Sequence, residues 1–395
     1  GPIIGEGIKR LVYGRQGCLV VSSPCLIALK MCRLGKRKLA MIDTTFEPFV
    51  RNAWYLGAWP EELEDGHIGR TILNEPVVFF RDKHGKAAAL EDRCCHRGAP
   101  LSQGRVVETG IECGYHGLIF DGSGKCVTVP GHNKIPPQAM VRSYPVLERQ
   151  EFIWIWMGDP ARADESTIID FPFHDQPDKW PHRKDTFRIK SNYMMMVDNL
   201  MDLSHLGYVH SRTIGGNPHA HVAADMSVTP TATGVRYVRW MLDAPSPPSY
   251  VKAAGLKGNV DRWWDMEYNV PCSVLQWTGA IGVGKGAMEN QDQPGFHTRV
   301  YHGATPETNN TFHYFWSISN GFRTDDPQAT EELYQEIYPT FLEDKEIMEV
   351  QQARLELDPE RELVVIPADK ALTHARRAIR RLIKEEHATM AAAAE

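Results

Sequence analysis

Between Phe49 and Gly158 the apolar positions come in short runs: Val77 to Phe80, Ala87 to Leu90, Gly117 to Phe120 and Phe152 to Trp156. Turn residues separate them at Asp82 to Gly85, Asp121 to Gly124 and Pro130-Gly131. Brief β-rich runs between such punctuation predict a small all-β domain. It closes at Gly158-Asp159-Pro160, where a polar stretch follows. Beyond this point the pattern changes. Asn192 to His210 carries apolar residues on most faces, which predicts one buried helix. After Gly215 to Pro218, strands are predicted at Val235–Trp240, Val270–Trp277, Thr298–Tyr301 and Thr311–Ser317. Helical patterns then run from near Glu331 past Gln352 and from Leu372 to His387. Strands flanked by long helices predict an α+β class for this second part. A chain of 395 residues exceeds what one hydrophobic core usually supports, so two domains are expected, 41–160 and 161–395.

Charge changes the picture at one end. Residues 1–40 hold eight Lys or Arg against the single acid Glu6, so the formal charge of −6 divides into +7 there and −13 in the rest. The apolar stretch from Cys18 to Leu29 is too short to span a bilayer and lacks a secretory cleavage pattern. Residues 1–40 are therefore expected to lie outside the fold, with Met41 opening it; a membrane or targeting role is the alternative. An acidic body argues against nucleic acid as the main partner. The eight cysteines form no secreted disulfide framework, and a reducing cytoplasm fits best.

Two of those cysteines carry chemistry. Cys94 and His96, a sixteen-residue gap, then Cys113 and His116 put one thiolate and one imidazole on each of two glycine-containing loops. Zinc also accepts two of each, but zinc fingers pair Cys with Cys and His with His. Mixed loops suit a two-iron, two-sulfide cluster of Rieske type. Cys95 gives the wrong spacing to His96 and is expected to be a packed small residue. Cys126 carries no partner signal.

A second cluster follows at Asp202, His205 and His210. Two histidines and a carboxylate bind ferrous iron with positions left open for oxygen. On an ideal helix, five-residue spacing turns His210 about 140° from His205, so distortion is needed, and Gly207 offers a place for it. The third ligand should come from elsewhere. Asp344 in Phe341-Leu342-Glu343-Asp344-Lys345 is the choice and Glu343 its rival.

The first motif resembles the Rieske domains of aromatic-ring oxygenases. It differs from the respiratory type, whose extra cysteines and serine correspond here to Ala99, Tyr115 and Leu118. Fewer donors to sulfur imply a potential near the low end of the family range, about −150 mV. With Asn52 to Tyr55, Asp198 to His205, Tyr208 to His210 and Glu343 to Lys345, the chain from Met41 to about Glu385 is similar to the terminal oxygenases of the vanillate O-demethylase, toluenesulfonate methyl-monooxygenase and dicamba demethylase group. The resemblance implies an N-terminal all-β Rieske [2Fe–2S] domain and a helix-grip (START-like) catalytic domain built on an antiparallel sheet. It implies iron held by His205, His210 and Asp344, with Asn199 in support. It also implies that the Asp202 carboxylate bridges His205 to His116 of a neighbouring subunit in a homotrimer.

Gly282, Gly284 and Gly286 lack the strand–turn–helix setting of a nucleotide loop. Reducing equivalents are therefore expected from a separate NAD(P)H-dependent reductase, directly or through a ferredoxin. Trp263, Trp264, Trp277, His313, Tyr314 and Trp316 are candidate cavity residues, and Arg236, Arg239, Arg299 and Asn320 are candidate partners for an acidic substituent. The expected reaction uses O2 to hydroxylate or O-demethylate an aromatic acid. Ring or diaryl-ether dioxygenation, and electron carriage with a non-catalytic ligand-binding domain, are the alternatives.

Overall fold

The computed structural model describes residues 41–42, 49–211, 214–215 and 217–394; the leader 1–40 lies outside the described residues. From Trp54 to Trp156 the chain forms three antiparallel sheets. Strands His67–Ile72, Glu75–Arg81, Ala87–Glu91 and Ser143–Tyr144 make the first. Trp54–Ala58, Phe152–Trp156 and Val146–Arg149 make the second. The third, Arg105–Val107, Gly110–Glu112, Ile119–Phe120 and Cys126–Thr128, belongs with a small core of its own. Val78, Phe80, Leu90, Ile111 and Phe120 pack there with Cys94 and Cys113. The strand predicted at Gly117–Phe120 shrinks to Ile119–Phe120 because Gly117 and Leu118 close a loop.

The second part is a seven-stranded antiparallel sheet in the order His182–Ile189, Thr311–Asn320, Phe296–Thr308, Ser273–Gly282, Asn259–Asn269, Gly234–Pro245, Asp225–Pro230. Three of these strands were not predicted. His182–Ile189 and Asp225–Pro230 are edge strands, half exposed and polar. Asn259–Asn269 is buried on both faces from Val260 to Trp264, and the polar Asp261 and Arg262 among those positions mask the strand. A 29-residue helix, Pro327–Leu355, packs on strands His182–Ile189 and Thr311–Asn320, and helix Lys370–Ala394 packs on Gly234–Pro245. This is the expected α+β arrangement of helices on an antiparallel sheet.

The single helix predicted for Asn192–His210 is instead three pieces: helix Tyr193–Leu200, a 3₁₀ turn Leu203–His205 and a helical turn Leu206–Val209. The interruption falls at Met201 and Asp202, before His205, and not at Gly207. Gly207 serves close packing: a Cβ there would lie 2.5 Å from the Pro218 Cα.

The β domain and the seven-stranded sheet share one apolar core. Tyr55, Ile155 and Met157 belong to the same cluster as Phe187, Tyr193 and Met194. Burying each such side chain contributes about 1.5–3 kcal/mol. A buried carboxylate fastens the junction. Glu386 accepts hydrogen bonds from the Arg51 and Asn52 backbone N–H groups at 2.8 and 2.9 Å and from Asn52 Nδ2 at 2.7 Å. Asn52 in turn accepts from the Asp159 N–H at 3.0 Å, over Gly158, where any Cβ would strike Asn52 Oδ1 at 2.3 Å. Replacing Glu386 with Ala orphans these donors and should cost about 2–4 kcal/mol in urea unfolding, whereas Gln, which retains an acceptor, should cost less than half as much.

Candidate functional site

The two cluster loops share one design. In the first, the Cys94 N–H donates to Ala99 O (2.8 Å) and the Gly98 N–H to Cys94 O (2.9 Å). In the second, the Cys113 N–H donates to Leu118 O (2.8 Å) and the Gly117 N–H to Cys113 O (3.0 Å). Each cysteine thus sits at the base of a loop that returns on itself four and five residues later. Each return uses a left-handed glycine, Gly98 at φ 71° and Gly117 at φ 70°. The thiols are buried while His96 and His116 stand exposed at the tips, their ring centroids 4.5 Å apart. Burial, with the Cys113 thiol beside it, pushes the Cys94 thiol up to about 11. Two thiolates there call for a cationic partner, and with two convergent imidazoles the donor set fits a Rieske cluster. Cys95 is exposed and not packed as expected, because the loop turns it outward. Tyr115 is also exposed and lies against the His116 ring at 3.9 Å.

The second site begins with Asn192, whose side chain caps helix Tyr193–Leu200 by accepting from the Met194 N–H at 3.0 Å. The chain then extends at Asp202, whose Oδ1 accepts from the Ser204 N–H at 2.9 Å and starts the 3₁₀ turn. His205 Nδ1–H donates to the Asp202 carbonyl oxygen at 2.6 Å. That bond sets the tautomer and leaves the Nε2 lone pair facing the cavity. It also differs from the bridging expectation, since the main-chain carbonyl of Asp202, and not its carboxylate, holds His205.

Asp344 arrives from the long helix, 5 % exposed. Its Oδ1 lies 3.6 Å from His205 Nε2 and 3.1 Å from His210 Nε2, and it accepts from Asn199 Nδ2 at 2.9 Å. Single ligand atoms of His205, His210 and Asp344 all fall within 4.8 Å of one another. Glu343 is on the other side of the ring, where His210 Nδ1 donates to its Oε2 at 2.8 Å. The neighbouring carboxylates therefore divide their work: one faces the histidine pair, the other orients His210. Burial lowers the pKa of His205, keeping its ring neutral. Burial acts the same way on His210, but hydrogen bonds and charge from Asp344 and Glu343 outweigh it and raise that pKa. Two imidazoles and a carboxylate converging on one buried point fit a divalent iron with open positions.

All three residues line a cavity whose walls include Trp264, Tyr250, Phe296 and Phe341. Of the predicted lining residues only Trp264 is among them; Tyr314 is set behind, donating or accepting at His302 Nδ1 (2.7 Å). Trp263, Trp277 and His313 project from the opposite face of the sheet, as strand parity requires, and Trp316 packs under the long helix. None of Arg236, Arg239, Arg299 and Asn320 lines it either. Arg236 pairs with Asp265, Arg299 stacks on Trp277, and Asn320 caps Phe322. Sequence reasoning missed Gln276, Thr278 and His302, polar positions on this wall. Period-two alternation through Thr298, Val300 and His302 was the signal available.

A β domain with two mixed Cys/His loops, followed by a buried two-histidine, one-carboxylate cluster, defines a Rieske non-haem iron oxygenase. Residues 53–145 match the Rieske [2Fe-2S] domain and residues 189–385 the vanillate O-demethylase oxygenase C-terminal domain. The chain is 39% identical over 345 residues to the iron-sulfur subunit of the toluene-4-sulfonate monooxygenase system of Comamonas testosteroni, covering 86% of this chain and 98% of that one. It superposes on dicamba monooxygenase bound to 3,6-dichlorosalicylic acid with a TM-score of 0.80 at 35% identity, covering 87% and 100% of the two chains. Dicamba monooxygenase with non-heme iron and dicamba gives 0.70 at 35%, with the same coverage. The chain belongs to the vanillate O-demethylase oxygenase family, an oxidoreductase family whose cofactors are a Rieske [2Fe–2S] cluster and a mononuclear iron.

The loop design makes a direct prediction. Alanine at Gly98 or Gly117 must adopt a left-handed backbone at a cost of about 1–2 kcal/mol. Each variant should lose cluster absorbance per chain with unchanged far-UV circular dichroism; full cluster occupancy in both would show that the turns tolerate a side chain.

Proposed function

We propose that this chain is the oxygenase component of a multicomponent system that inserts one atom of O2 into an aromatic acid, by hydroxylation or O-demethylation. In this reading Cys94, His96, Cys113 and His116 hold the cluster, and His205, His210 and Asp344 hold the iron. The observation that carries it is the convergence of both His Nε2 atoms and the Asp344 carboxylate at the wall of an aromatic-lined cavity. When bound, the cluster supplies electrons and the ferrous iron activates dioxygen.

The chain's own residues do the rest. The Asp202 carbonyl fixes the His205 ring, Glu343 fixes His210 and Asn199 fixes Asp344. Trp264, Phe296 and Phe341 exclude water and give a planar ring its orientation. His302 Nε2 and Gln276 Oε1, 2.9 Å apart, form a polar patch on this wall, and burial pushes the His302 pKa down to about 3, so the ring acts neutral. The lining carboxylate Glu336 is engaged by Lys252 at 2.9 Å, and insertion at carbon needs no proton-abstracting base.

Electrons come from a separate NAD(P)H-dependent reductase, directly or through a ferredoxin, and cross between subunits of a homotrimer. Support for the crossing is the exposure of His96 and His116 and a second cleft, lined by Asp202, His205, Asp369 and Arg376. Asp202 Oδ2 takes no hydrogen bond from a described residue, leaving it for His116 of a neighbouring subunit. Among the described residues no helix is long and apolar enough to cross a membrane.

The test is a panel of methoxy-, methyl- and phenoxy-substituted benzoates and sulfonates with a generic reductase, read by oxygen uptake and product mass. Products gaining one oxygen atom, or losing a methyl group as formaldehyde, are expected; a product gaining two would place the enzyme with the ring dioxygenases. Separately, Glu343→Gln should weaken iron binding about 10–100-fold in chelator competition, since it removes a carboxylate behind a ligand, and leave the cluster spectrum unchanged.

A further inference from the structure

One face of the seven-stranded sheet carries two arginines that no described carboxylate neutralises. Arg239 and Arg262 are 5 % and 3 % exposed. Nε and Nη1 of both are buried without a hydrogen-bond partner, and no described carboxylate forms an ion pair with either. Arg262 Nη2 meets the Met241 sulfur at 3.1 Å, and the polar neighbours of the pair are neutral phenols, Tyr250 beside Arg262 and Tyr237 beside Arg239. Its guanidinium lies 4.9 Å over the Trp264 ring, but a cation–π contact engages the face of the group and leaves the in-plane N–H donors unused. Burial lowers the Arg262 pKa, and the Arg239 charge adds to it against the contact with Tyr250. His221, fully buried beside them, also keeps an unpartnered Nδ1 while its Nε2–H donates to Gly215 O.

Register ties this arginine pair to the iron cavity. Arg239 stands opposite Trp264, Trp264 opposite Thr278, and Thr278 opposite Thr298. Arg262 stands opposite Ala280, and Ala280 opposite Phe296. Trp264, Thr278, Thr298 and Phe296 all line the cavity, so both arginines continue rows of side chains that face the iron site. Tyr250, which stacks on Phe296 at 4.0 Å and also lines the cavity, is the polar neighbour of Arg262. Buried unpaired guanidinium groups are costly to a fold, and a bound anion would offset that cost. Among the described lining residues of the iron cavity there is no Lys or Arg, and burial holds His302 neutral.

We propose that Arg239 and Arg262 form an oxyanion site beside the cavity wall made by Trp264 and Tyr250, and that it takes the carboxylate or sulfonate of the aromatic substrate. This rests on the aromatic-acid reading above and adds the residues that recognise the acid.

The test is calorimetric binding to the loaded enzyme of 4-methylbenzenesulfonate, its neutral sulfonamide and inorganic sulfate, with wild type, Arg239→Met, Arg262→Met and the double variant. Wild type should bind the sulfonate at least 30-fold tighter than the sulfonamide. Each single variant should lose at least tenfold of that preference and the double variant all of it, with sulfonamide affinity moving less than threefold. Melting temperatures without ligand should be unchanged or higher, because an unpaired buried charge has been removed. A preference that survives in the double variant overturns the proposal. So does a parallel fall in sulfonate affinity, sulfonamide affinity and melting temperature, which would make the arginines structural. Sulfate that binds wild type, is lost in the double variant and does not compete with the sulfonate would assign the pocket to a free anion and overturn it as well. Binding is read without turnover, so an enzyme that binds the acids but fails to oxygenate them refutes the proposed reaction alone. Acids turned over with unchanged KM by the double variant refute this inference alone.

Discussion

The catalytic domain is organised around one carboxylate. Asp344 sits almost wholly out of water, and what makes that tolerable is the set of groups aimed at it: Asn199 Nδ2 at 2.9 Å and the Nε2 atoms of His210 and His205 at 3.1 and 3.6 Å. A buried carboxylate without such company would be protonated or expelled. One continuous helix would carry His205 and His210 to different faces; instead the chain passes from a 3₁₀ turn at His205 to a helical turn that ends before His210, and both rings meet a single oxygen. The long helix must then lie where it does, with Glu343 behind His210.

How much of this could be read from the sequence depends on the span of the interactions. The cluster loops are local: cysteine, histidine, glycine and every closing hydrogen bond fall within six residues, so the motif carries its own geometry. The histidine pair is nearly as local and was visible as a pair. Asp344 lies more than 130 residues further along, and only the fold separates it from Glu343. The same limit explains the errors over cavity residues. Trp263 and Trp264 are adjacent in sequence but face opposite sides of a strand, and one residue of register decides which meets substrate.

Polar residues inside the molecule fall into two groups. Glu386 and Asn192 are bonded on most sides and hold elements together. Arg239, Arg262 and His221 keep unused donors or acceptors deep in the sheet. The sequence showed that contrast in part: Arg239 stood among four candidate partners for an acid, while Arg262 lay in a strand that went unrecognised. The strand Asn259–Asn269 went unrecognised for the same reason that makes it interesting: its inward row carries a charge. Local rules fail most informatively where a fold gives up stability for recognition.

The central claim is that Asp344 and the two histidines hold an iron distinct from the cluster. Iron and acid-labile sulfide counted per chain, in wild type and in Asp344→Ala, test it most directly. The account predicts three irons and two sulfides in wild type and two of each in the variant. Two irons in wild type, or three remaining in the variant, would contradict it.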